Sequence, residues 1–150
     1  MANFLESFNK GIAAARDAER NKAEIQEVFD DLNQQLAVAT AGKVAIRRRQ
    51  FNAAIDILGQ KNALLSLLRP EKYWGLAAIF LPSGTVEATE LAKWEEENSG
   101  YPCTVTIGSQ RYVCEDRAAL EGVLETVLAD PSVGEVLHAL MQMPIPVSKA

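Results

Sequence analysis

The sequence predicts an α+β fold: a long N-terminal helix, a mostly antiparallel β-meander of about four to six strands, and two C-terminal helices packed on the sheet. Three observations carry that prediction. Apolar residues recur at helical spacing through the first forty positions, two β-rich runs flank the dipeptide Gly108-Ser109, and two short amphipathic stretches near the end each follow an aspartate.

Residues 3–39 contain no proline and one glycine, Gly11, with apolar residues at Leu5, Phe8, Ile12 and Ala15, then at Ile25, Val28, Phe29, Leu32 and Leu36. This spacing predicts one helix, or two helices in line. A continuous helix would extend about 55 Å, longer than a domain of this size is wide, so part of it must project or pair. The linking segment, Arg16 to Lys22, is polar on nearly every face and is expected to stay wet. Extending the heptad of Leu5, Phe8, Ile12 and Ala15 requires Glu19 and Lys22, a poor fit to an uninterrupted coiled coil. The second piece should therefore pack on the body, and the first, through Phe4, Phe8 and Ile12, on a partner subunit or another face. Self-association through this helix is expected. The chain divides on this reading into an arm, 1–42, a body, 43–142, and a tail, 143–150.

Ala41-Gly42 supplies a helix stop. Lys43 to Phe51, with Val44 and Ile46 on one face, and Gly75 to Leu81, ended by Pro82-Ser83-Gly84, read as strands. Residues 52–68 suit either a helix or two short strands. Thr85 to Glu97 is a second ambiguity; the alternation of Val86, Ala88, Ala92 and Trp94 favours a strand paired across Pro82-Ser83-Gly84.

The hairpin from Pro102 to Cys114 turns on Gly108-Ser109, a type II′ pair. Its register sets Ile107 against Gln110, Val105 against Tyr112, and Cys103 against Cys114 at a hydrogen-bonded site. Asp116 then caps a helix over Arg117 to Ala129, and Asp130-Pro131 opens a last one carrying Val133, Val136, Leu137, Leu140 and Met141. Pro144 and Pro146 keep the tail extended.

With 48% hydrophobic and 23% charged residues the composition is that of a folded domain, and 150 residues suffice for one core. A net charge of −5 argues against a general phosphate-binding surface. No signal-peptide pattern and no membrane-length apolar run is present, so the expectation is a soluble, cytoplasmic protein with no membrane partner and with Cys103 and Cys114 reduced.

Chemistry-bearing patterns are sparse. The one histidine, His138, lies among Leu137, Leu140 and Met141, and Gly42-Lys43 lacks the remainder of a phosphate-binding loop. No enzyme activity, metal or cofactor is expected. Cys103 and Cys114 read as a redox pair, half of a metal site or two small apolar side chains, the last being how free cysteines usually occur. Arg47-Arg48-Arg49 reads as a charged edge strand or as a site for phosphates or an acidic partner, with Arg47 and Arg49 on one face and Arg48 on the other. Trp94, beside Glu95-Glu96-Glu97, and Trp74, in Tyr73-Trp74, are either core residues or docking anchors. The candidate partner-binding residues are Phe4, Phe8, Ile12, Arg47, Arg49, Trp74 and Trp94.

Leu91-Ala92-Lys93-Trp94-Glu95-Glu96-Glu97, with Gly100-Tyr101-Pro102-Cys103 and the following hairpin, resembles small uncharacterised bacterial proteins, some of them prophage-encoded. The resemblance implies an accessory protein and assigns no residue a role. The leading expectation is a non-catalytic protein-binding accessory protein that dimerises. A nucleic-acid-associated regulator using Arg47, Arg48 and Arg49, and an acidic secretion-type chaperone with an apolar groove on its sheet, are the alternatives.

Overall fold

Asn3 starts the first helix by accepting the Glu6 N–H on its side-chain oxygen at 3.0 Å, which satisfies one of the amides that a helix start leaves unpaired. In the computed structural model, which describes residues 1–52, 72–84 and 87–146, this helix, α1, runs unbroken over Phe4–Ala39. The polar stretch at 16–22 does not interrupt it, because Ala, Arg, Glu and Lys are good helix formers whether or not a face is buried. The helix ends where the sequence places its stop. The Thr40 hydroxyl donates back to the Leu36 carbonyl at 2.7 Å, and Ala41 and Gly42 take positive φ of 53° and 77°.

Five strands follow among the described residues: β1 (Val44–Asn52), β2 (Lys72–Phe80), β3 (Thr89–Glu97), β4 (Gly100–Ile107) and β5 (Gln110–Cys114). They form one antiparallel meander in the order β1-β2-β3-β4-β5, so β1 and β5 are its edges. A short 3-10 turn over Leu81–Ser83 ends β2. The strand reading of 85–97 holds from Thr89 onward; Thr85 and Val86 lie outside the described residues, as do 53–68 of the other ambiguous stretch and 147–150 of the tail. The β4–β5 register is the one the turn dictates, with Cys103 opposite Cys114 and Val105 opposite Tyr112. Gly108 has φ 58° while Ser109 stays at negative φ, as a type II′ turn requires.

Helices α2 (Arg117–Ala129) and α3 (Pro131–Met141) close the chain, each capped by the side chain of its preceding aspartate. Among the described residues, the three helices share one face of the sheet. Ile25, Val28 and Phe29 of α1, Leu120, Leu124 and Val127 of α2, and Val133 of α3 form one core with Ile46, Leu76, Trp94, Cys103, Val105 and Cys114. The second half of α1 therefore belongs to the core of the body, and only the first half stands apart as an arm. On the opposite face Ala45, Ala77 and Ile79 are buried, but toward β5 that face turns polar with Lys93, Glu95 and Arg111 exposed.

Candidate partner-binding surfaces

Contact between α1 and the body begins at Asn21, whose side-chain amide donates to the Ser99 carbonyl at 3.0 Å. Gly100 lies directly beneath. A Cβ there would come within 2.8 Å of the Asn21 Cβ, and the residue's φ is 89°, so glycine is required both for the turn and for the close approach of the helix. Ahead of this point every residue from Met1 to Asp17 is exposed. Phe4 is 80%, Leu5 71%, Phe8 63% and Ile12 40% exposed. At 100° per residue their stripe is centred about 115° around α1 from the stripe of Ile25, Val28, Phe29, Leu32 and Leu36 that packs on the sheet. The arm thus presents its apolar side away from the direction in which the helix grips its own body. Two ion pairs, Lys10–Glu6 and Arg20–Asp17, decorate its polar side and contribute little at such exposure.

The arginine run is divided by the pleat, as its alternation requires. Arg48 points to the helix side, where its guanidinium lies 4.7 Å from the Phe29 ring centroid and donates to Glu96 at 3.2 Å and to Gln26. Arg47 and Arg49 turn to the opposite face, Arg47 exposed and Arg49 half-buried. The three charges therefore do not form one footprint.

The tryptophans separate. Trp74 and Trp94 are cross-strand partners on the helix side of the sheet. Trp94 is 3% exposed, edge-on to Phe29 with centroids 5.4 Å apart, and is therefore a core residue; its candidacy as a surface anchor is corrected by its position beneath α1. Trp74 lies beyond the helix and is 48% exposed. It flanks an open cleft of about 400 Å³ with Arg48, Glu96 and Lys22. Its neighbour Tyr73 is half-buried on the other face, stacked on Phe51 and donating to Glu90 at 2.6 Å. No exposed aromatic pair results. All three glutamates of the acidic run are exposed, and Glu96 pairs with Arg48 at 3.2 Å.

Cys103 and Cys114 are both free and wholly buried in the core. The hydrogen bond shared with Cys114, together with burial, pushes the Cys103 thiol well above its ordinary value, which keeps it protonated and poorly nucleophilic. Among the described residues no group of three or more His, Cys, Asp or Glu side chains could hold a metal ion, and no helix is long and apolar enough to cross a membrane.

Several structural residues escaped the reading of the sequence. Asn33 donates to the Ile46 carbonyl at 2.9 Å and accepts the Ile46 N–H at 2.8 Å, so its amide takes the place of a neighbouring strand on the β1 edge. Arg117 clamps α2 to α1 through Glu27 at 3.1 Å and Asp31 at 3.3 Å. The i, i+4 spacing of Glu27 and Asp31 was the available signal for the clamp; nothing local distinguishes Asn33 from any polar helix residue. Comparison with family models, with curated proteins and with solved structures finds no match to this chain.

Proposed function

We propose that this chain is a non-catalytic protein-binding module, an accessory protein of the kind its residues 91–103 resemble, whose docking surface is the first half of α1. The observation that carries this reading is the exposed stripe of Phe4, Leu5, Phe8 and Ile12 on a helix held rigidly at its other end by the core. Isolated large apolar residues on a surface are ordinary, but a contiguous stripe along a projecting helix fits a partner surface, and helices lay such stripes into apolar grooves or against other helices. The nucleic-acid reading is less well supported, since Arg48 is engaged with Glu96 and the net charge is −5. A chaperone groove has little support, since the described outer face of β3 to β5 is largely polar.

A photo-reactive residue placed at Phe8, and separately at exposed Glu125 of α2, tests the reading in cells of the native host. Protein adducts are expected from position 8 and not from position 125. Equal labelling at the two positions, or none at position 8, refutes the arm as a docking surface.

A further inference from the structure

We infer that the occupant of the arm is the arm of a second copy, packed antiparallel so that Phe8 of each chain meets Ile12 of the other. The inference rests on the reading of the arm as a docking surface and supplies the partner.

The stripe's own body cannot cover it, because the body lies about 115° away around the same helix. Beyond the Asn3 cap and two exposed ion pairs, the arm has only local propensity and its continuity with the docked half of α1 to keep it helical, so packing of its apolar side would add to its stability. The area suits a second arm. At the observed exposures, Phe4, Leu5, Phe8 and Ile12 present on the order of 500 Å² of apolar surface per chain. Two arms covering one another would remove at most on the order of 1,000 Å² from water, about the lower bound for a specific interface.

The sequence of the stripe selects the orientation. In a parallel pair the heptad that starts at Leu5 continues into Glu19 and Lys22, setting like charges opposite one another along the seam. An antiparallel pair centred on residue 10 avoids this, since Glu19 and Lys22 then fall at or beyond the partner's end. The same register sets Leu5 at the height of Ala15, large against small, and Phe4 at the height of Arg16. The Arg16 side chain is exposed and makes no ion pair among the described residues, so its guanidinium is available to lie over the Phe4 ring. The two residues 20 would stand about 30 Å apart along the helix axes at 1.5 Å per residue, which keeps the bodies clear of each other.

The test uses full-length purified chains and the mass measured by sedimentation at micromolar concentration. The unaltered protein is expected at twice the 16.4 kDa of one chain. Phe8→Glu and Ile12→Arg are each expected to sediment as single chains, with the buried Trp94 fluorescence unchanged because neither residue touches the core. Mixing the two variants is expected to restore the double mass: one layer then pairs the introduced carboxylate with the introduced guanidinium, and the other retains its native Phe8 and Ile12. In a parallel pair the mixture would leave each charge against an apolar residue. A single-chain mass for the unaltered protein, or no recovery on mixing, overturns the proposal. A single-chain mass together with adducts to other proteins at position 8 removes the second copy while leaving the docking surface; no adduct of any kind removes both.

Discussion

Replacing Asn33 with alanine removes a side chain that makes two hydrogen bonds to one backbone residue, both to Ile46 on the outer strand of the sheet. Because the Ile46 N–H and C=O are used by Asn33, they point away from β2 and have no strand neighbour among the described residues to replace the lost partner. Ile46 is buried, so water reaches these groups poorly once the amide is gone. Each hydrogen bond contributes about 1 kcal/mol net, and a stranded buried group costs about 1–3 kcal/mol, so Asn33→Ala should lose about 2–4 kcal/mol. With a urea m-value of about 2 kcal/mol/M, the unfolding midpoint followed by tryptophan fluorescence should fall by about 1–2 M. Asn9→Ala, at an exposed arm position, is the control and should leave the midpoint in place or raise it slightly through helix propensity, not lower it. A loss below about 0.5 kcal/mol for Asn33→Ala would show that the β1 edge does not depend on this amide, and the argument that α1 is keyed to the sheet at that point would fail.

Two further outcomes follow from the same packing. Gly100→Ala adds a Cβ that would meet Asn21 at 2.8 Å on a residue with φ 89°, and should cost about 2–4 kcal/mol in the same unfolding assay. Gly122→Ala, in α2 with nothing within 4 Å of the added carbon, should instead stabilise by about 0.5–1 kcal/mol, and equal effects of the two changes would contradict the geometry. Burial, then its hydrogen bond to Glu24 at 2.8 Å, holds the Tyr101 hydroxyl above its ordinary value of 10.0, so the neutral form is favoured in the folded state. Its stabilisation is complete below pH 10.0 and is lost as pH rises through the raised folded value. The melting-temperature advantage of the native protein over Tyr101→Phe should therefore be constant through neutral pH and shrink above 10.0; a gap that widens with alkali would reverse the assigned sign.

What could be read from the chain alone was whatever short-range rules decide. The helix start and stop of α1 follow from Asn3 and from Ala41-Gly42, and the hairpin turn fixes the pairing of Cys103 with Cys114 because two residues leave a hairpin no other register. Alternation alone put Arg48 on the face opposite Arg47 and Arg49. The apolar stripe of Phe4, Leu5, Phe8 and Ile12 was visible as a pattern; that it stays exposed was not. Trp74 and Trp94 show why. They sit opposite one another on neighbouring strands, on the same face, with the same side chain, yet one is in the core and the other in solvent.

The sequence by itself determined most of the described elements, their order and the strand register of the hairpin, since each depends on backbone preferences and side-chain periods within a few residues, while residues 52–68 stayed open between helix and strand. Only the tertiary structure decided where α1 crosses the sheet. That crossing is set by the seat of Asn21 on Gly100, the grip of Asn33 on Ile46 and the packing of Phe29 over Trp94, contacts between residues far apart in the chain. It is this line that buries Trp94, half-buries Arg48, leaves Trp74 outside, and sends the first half of α1 past the edge of the body with its apolar side uncovered.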